Sequence, residues 1–423
     1  MARFDERSWE PDFTALTRRD RRPCRYSVYL PDLLSDRRFA FDGDVAADVA
    51  DAEADLVRLN GAVGALADTE GLARLLLRAE SVASSRIEGL VVGGRRMLRA
   101  DAARHLGEEV RDVTAAEVLA NIDAMVWGVN AVEPDGAITL DTLLEVHRRL
   151  LSGTRLEEHG GHVRTVQNWI GGSDYNPCSA AFVPPPPEDV LVLLDDLVAF
   201  CNDEALPALA QAAIAHAQFE TIHPFVDGNG RAGRVLIHLV LRRRGIATRF
   251  LPPVSLVLAT WAAECVAGLT ANRYVGEPGS DTAHMGINSW TALFAAACRR
   301  AVADAVWFEE RVRQLQETWR QRAGNPRRDS AVQRLIGALP AAPVLTVATA
   351  AELTGRSFQA ANQAMDRLVE AGVLVQVSVG RRNRAFEAPE LIDLFTALER
   401  QLASPTGDTL AAEPVRRVPE RRP

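Results

Sequence analysis

Apolar residues recur at steps of three and four along most of the chain, the spacing that lines one face of an α-helix. On that pattern helices are predicted at about 45–66, 70–87, 109–132, 139–152, 188–203, 206–221, 230–244 and 290–322. Elsewhere the rhythm breaks. Residues 1–45 mix arginine, aspartate and proline and read as irregular, with YSVYLPDLL as a packing strap. Between 160 and 187, RTVQNWIGGSDYNP reads as extended chain around a Gly-Gly turn, stopped by the prolines at 184–187. Past the GNP that ends the long helix, short helices at 330–338, 347–353 and 357–371 precede two strands flanking GRRNR. That order is a winged helix-turn-helix.

The pattern divides the chain into an N-terminal segment (1–108), a mainly helical core with its following long helix (109–325), the winged helix (326–400) and a tail (401–423) expected to be disordered. A chain of 423 residues supports several domains. The net charge, 48 minus 56 or -8, argues against a chain dominated by nucleic-acid binding. Every basic residue apart from histidine is arginine; without lysine, a Walker-type phosphate loop and Schiff-base chemistry are both excluded. Cys24, Cys178, Cys201, Cys265 and Cys298 are scattered, odd in number and form no CxxC pair. Neither a disulfide framework nor a zinc cluster is expected, and a cytoplasmic protein fits. No secretory leader or membrane-length apolar window is read, so no membrane is expected as a partner.

Chemistry concentrates in HPFVDGNGRAGR, residues 223–234. With helices on either side, DGNG is a tight loop leading into a helix N-terminus, where free N–H groups and the helix dipole attract anions. Gly228 and Gly230 let the backbone curve around a phosphate, and Arg231 and Arg234, three apart, fall on one side of the first turn. Two guanidinium groups suit a chain of phosphates better than a single one. Asp227 beside an anion site makes sense with a cation between them, and Mg2+ is held in that way. His223, at the end of the preceding helix, is placed to take a proton from an attacking hydroxyl. The loop reads as built for nucleotidyl or phosphoryl transfer.

The run FETIHPFVDGNGRAGRVLIHLVL closely resembles the Fic-family signature HxFx(D/E)GNGRxxR, with every specified position met. The resemblance implies a mainly α, Fic-type helical core with a β-hairpin flap, and transfer of AMP from ATP to a hydroxyl side chain of a protein target. It implies His223 as general base, Asp227 as Mg2+ ligand, and the Asn229, Gly230 and Arg231 region, entered through Gly228, as the anion hole. Arg231 and Arg234 would hold the outer phosphates. SSRIEG, residues 84–89, resembles the family's inhibitory motif (S/T)xxxE(G/N), with Ser84, Glu88 and Gly89 in register. That likeness implies autoinhibition by Glu88 on the second arginine, Arg234. The RTVQNWIGG segment resembles the flap that receives the target's backbone.

ATWAAECVAGL, 259–269, lacks the adjacent aromatic pair that many relatives carry near the base, so phosphate handling is better specified than the nucleotide. Two alternatives stand beside transfer. One is removal of AMP, with Glu88 positioning water. The other is DNA regulation through the winged helix, where Ser357, Gln359, Asn362 and Gln363 would read bases and Arg381, Arg382 and Arg384 would sit on the wing. Residues 327–400 carry nine arginines and eight acids, a net of only +1. Self-association as a homodimer stays open.

Overall fold

The computed structural model describes residues 1–10, 17, 18, 20–62, 69–379 and 383–401. Its contacts divide the chain into two units. The first comprises Met1–Ala54, Trp127–Ile246 and Ala263–Ala296; the second comprises Asp55–Val126, Ala247–Ala262 and Ala297–Pro423. The helices α1 (Gly43–Ala62), α4 (Val113–Ala131) and α11 (Asp281–Arg322) have residues in both.

In the first unit, the N-terminal region is not irregular. β1 (Arg3–Trp9) and β2 (Cys24–Leu30) form an antiparallel ladder from Arg3 opposite Leu30 to Trp9 opposite Cys24. Val28 and Tyr29 are buried while most of β1 stays exposed or half-buried. A strand so polar gives little period-2 signal, which is why RFDERSW does not announce itself. The scattered cysteines also mislead: Cys24 and Cys178 form a disulfide across a sequence separation of 154. Spacing along the chain carries no information about a pair whose Cα atoms, 5.8 Å apart, are brought together by the fold. The cysteine-based argument for a reducing environment lapses with it.

The centre of this unit is α7 (Ala208–Ile222) with α8 (Asn229–Arg243), flanked by α5 (Leu140–Leu151) and α6 (Pro187–Asn202). All but one residue of α7 is buried, as expected of a helix enclosed on every side. Its neighbour comes so close that a Cβ on Gly233 of α8 would lie 2.8 Å from Glu220 Oε1 and 3.1 Å from Phe219 Cδ1. Buried Trp290 donates its indole N–H to the Ala213 carbonyl at 2.7 Å, fixing the start of α11 on α7.

The second unit holds α2 (Thr69–Ile87), α3 (Gly94–His105), α9 (Val254–Thr260) and the C-terminal elements. These are α12 (Ala331–Ala338), β3 (Val344–Leu345), α13 (Val347–Thr354), α14 (Phe358–Glu370), β4 (Val375–Val379), β5 (Asn383–Glu387) and α15 (Pro389–Gln401). The sheet order β3-β5-β4 behind α13 and α14 is winged-helix-like. Thr346 caps α13 and Ser357 caps α14 through side-chain oxygens, and Gly355, at φ +62°, turns between them. Arg381, Arg382 and the tail beyond 401 lie outside the described residues. α3 was not anticipated: its arginines Arg95 and Arg99 reach the buried Glu387 carboxylate at 3.2 and 2.8 Å, partners some 290 positions away. Among the described residues no single helix is long and apolar enough to cross a membrane.

Candidate active site

Pro224 cannot continue a helix, and α7 stops at Ile222. His223 takes the C-cap in the left-handed region, φ 49° and ψ 60°, its N–H donating to the Phe219 carbonyl at 2.9 Å. A left-handed non-glycine residue is uncommon, and such strain collects at functional sites. Gly228, at φ +77°, then turns the chain into α8. Asn229 ties the loop closed: its Oδ1 accepts from the Phe225 N–H at 2.8 Å and its Nδ2 donates to the Phe225 carbonyl at 2.9 Å. The Asn229 side chain is therefore spent on the loop, leaving its backbone N–H for an anion. The first helical bond of α8 runs from the Ala232 N–H to the Gly228 carbonyl, so the N–H groups of Asn229, Gly230 and Arg231 have no acceptor within the helix.

Arg231 is 3% exposed, and among the described residues only its Nη2 reaches a partner, the Asp227 carboxylate at 3.4 Å. Its Nε and Nη1 are buried with no hydrogen-bond acceptor among the described residues. A buried guanidinium with open donors is expensive unless an anion completes it. Arg234, three residues on, is equally buried. Burial, with help from Arg234, pushes the enclosed His216 imidazole down to about 3. Burial raises the Cys265 thiol to about 11 against the opposing field of Arg234.

Asp227 keeps about half of its side chain exposed. Among the described residues no group of three or more His, Cys, Asp or Glu side chains is placed to hold a metal. One hard, accessible carboxylate next to an anion-receiving helix end fits Mg2+, which completes its shell from phosphate oxygens and water.

Three residues of this site give no warning in the sequence. Arg164, 2% exposed, donates from Nε to the His223 carbonyl at 2.8 Å and from Nη2 to the Ile222 carbonyl at 3.3 Å, while burial lowers its pKa to about 10. Asn168 donates to the His223 and Phe225 carbonyls at 3.1 and 2.9 Å. His147 of α5 stacks flat on Phe225, ring centres 3.7 Å apart. The Gly161 N–H donates to its Nδ1 at 3.1 Å, which places the ring proton on Nε2, 3.0 Å from the Asp227 carbonyl. Burial lowers this imidazole to about 4, so the ring is neutral. Buried polar groups like these are chosen by partners in space, which hydrophobic periodicity cannot reveal.

The Gly-Gly turn is present as one bridge, Ile170 opposite Phe182, with Gly171 and Gly172 at φ +73° and +81°. A Cβ on Gly172 would fall 2.5 Å from the Ser179 carbonyl oxygen. Trp169 meets Trp9 edge-on at 5.6 Å and donates to the Ser173 carbonyl, and Arg273 lies 3.6 Å over the Phe182 ring.

The sequence-derived residues thus fall into two groups. His223, Asp227, Gly228, Asn229, Gly230, Arg231 and Arg234 share the α7–α8 corner of the first unit. Ser84, Glu88 and Gly89 belong to the second. There Ser84 is buried in α2, while Glu88 and Gly89 are exposed just past its end. Gly89 at φ +82° and the Leu90 N–H, 3.0 Å from the Ser85 carbonyl, close that helix.

The paired-helix core presents an arginine-rich helix N-terminus beside a left-handed histidine, groups whose charge and geometry suit phosphates. Comparison with known proteins narrows the class. Residues 137–241 match the Fic/DOC family model and residues 46–130 match that of the Fic/DOC family N-terminal region. Over these two stretches the chain is similar to the Fic/DOC family, and it resembles Fic adenylyltransferases of several species.

It is 40% identical over 128 residues to the protein adenylyltransferase fic-1 of Caenorhabditis briggsae, covering 30% of this chain and 22% of that one. It is 36% identical over 138 residues to the protein adenylyltransferase Fic of Culex quinquefasciatus, covering 31% and 25%. The chain thus spans about a quarter or less of these relatives' lengths. A Fic family protein from Desulfovibrio desulfuricans G20 shares the fold at a TM-score of 0.50 and 20% identity, over 83% of this chain and 97% of that one.

Proposed function

We propose that the chain is a protein adenylyltransferase restrained by Glu88, moving AMP from ATP to a tyrosine, serine or threonine hydroxyl of a protein target, itself included. The observation that carries the proposal is Arg231, whose buried Nε and Nη1 await an acceptor at the N-terminus of α8. The α8 N–H groups, Arg231 and Arg234 would hold the phosphates. Asp227 would hold Mg2+, which supplies positive charge against the phosphate chain. A target hydroxyl attacks the α-phosphorus, forming the new O–P bond as the bond to the β-phosphate oxygen breaks and pyrophosphate leaves. The hydroxyl proton passes to the His223 imidazole. The likeness of RTVQNWIGG to a flap supports capture of the target's backbone beside this corner.

Intact mass after incubation with ATP and Mg2+ tests the proposal. The wild type is expected to gain little AMP, and Glu88→Gly about tenfold to a hundredfold more, the worth of one charge-assisted pair. Equal labelling of the two proteins removes the restraint from Glu88. His223→Ala, made in the Glu88→Gly background, should transfer nothing while still binding nucleotide; continued labelling places the base elsewhere. Release of AMP from a labelled protein by water, in place of transfer, would favour the AMP-removing reading.

A further inference from the structure

The α7–α8 loop is pinned at three points. Asn229 holds its interior at Phe225, and Arg164 with Asn168 holds its start at the His223 carbonyl. The third point is at Asp227. That carboxylate is half exposed, and the side-chain contact it makes is the 3.4 Å approach of Arg231 Nη2. Its aim therefore depends on the backbone beneath it, and a buried ring from another helix holds that backbone. His147 Nε2 lies 3.0 Å from the Asp227 carbonyl, its Nδ1 accepts from the Gly161 N–H, and its face covers Phe225. Its Cδ2 also lies 3.7 Å from where a Cβ on Gly228 would sit, so the ring backs the left-handed turn that opens α8.

The geometry points to His147 as a positioning residue: by donating from Nε2 to the Asp227 carbonyl it sets the peptide that aims the Asp227 carboxylate and the first N–H groups of α8. The ring is a relay between two backbone groups, Gly161 N–H on one edge and Asp227 C=O on the other, and touches no reacting atom. It rests on the adenylyl-transfer reading only for its activity readout. Arrangements of this kind, in which an outer partner fixes a ligand's orientation, carry much of a metal site's affinity.

Two substitutions separate the two edges of the ring. His147→Gln keeps a donor at the reach of Nε2, and His147→Asn keeps an acceptor at the reach of Nδ1 while losing the bond to Asp227. Amide hydrogen exchange of the peptide spanning Phe225 to Ala232, measured without nucleotide, should be faster in His147→Asn and near wild type in His147→Gln. In the Glu88→Gly background, the Mg2+ concentration for half-maximal labelling should rise about tenfold to a hundredfold in His147→Asn, with His147→Gln within about threefold of its parent. Wild-type exchange and Mg2+ dependence in His147→Asn would overturn the assignment, as would a His147→Gln variant as impaired as His147→Asn. Should His147→Asn not fold, slow exchange of the loop in His147→Gln supports the role and fast exchange overturns it. A Glu88→Gly parent that transfers no AMP overturns the adenylyl-transfer reading, and the exchange comparison then decides the role of His147.

Discussion

His216 sits one turn before Glu220 on α7, 2% exposed, its Nδ1 4.0 Å from Glu220 Oε1 and its ring 5.9 Å from that of Trp290. Its pKa of about 3 in the fold lies below the ordinary value near 6.5, so the native state keeps it neutral while the unfolded chain takes up a proton. Its contribution is complete above pH 6.5 and is lost as pH falls from there towards about 3, at up to about 1.4 kcal/mol per pH unit. His147 acts with the same sign down to about 4. Urea unfolding at pH 6.5 and 5 should show wild type losing stability, and His216→Phe losing about 1 kcal/mol per unit less. Equal slopes would mean His216 is protonated in the native protein. At this scale the sequence shows the residues that repeat a signature, such as His223 and Arg231. It hides His147, Arg164 and Asn168, whose types are ordinary until the fold brings backbone carbonyls to them.

Among elements, α14 bears on the DNA reading. Its Asn362, proposed as a base reader, donates to Asp366 on the same helix at 3.0 Å, and Asp366 also accepts from Arg384 of β5 at 3.4 Å. Arg384 is further occupied by Gln376 and the Phe386 ring. A carboxylate among the reading residues, engaging the described wing arginine, opposes approach to phosphates. A gel shift should show no retained duplex at moderate salt; salt-sensitive binding that persists without ATP would revive the regulator reading.

Within the same unit, Glu387 is 3% exposed between Arg95 and Arg99 of α3. Glu387→Ala should lower stability by about 2–3 kcal/mol in denaturant melts, the low side of a buried pair because both arginines are partly exposed. An unchanged midpoint would show the cluster to be surface decoration. Helix limits were legible where Pro224, Gly228 and the GNP at 324–326 punctuate them. α3 was not, because part of what holds it is this distant carboxylate.

For the whole chain, each of the two units is assembled from three separated stretches. Periodicity identifies helices one at a time and is silent on which distant stretches will share a core. The same limit hid the join between Cys24 and Cys178. That join makes a closed covalent ring of about a third of the polypeptide, and in the chain-entropy account a loop of this length stabilises the native state by about 5 kcal/mol. A protease nick anywhere inside the ring would leave the two pieces travelling together until a thiol is added. Fragments that part on a gel without reductant would show the ring to be open.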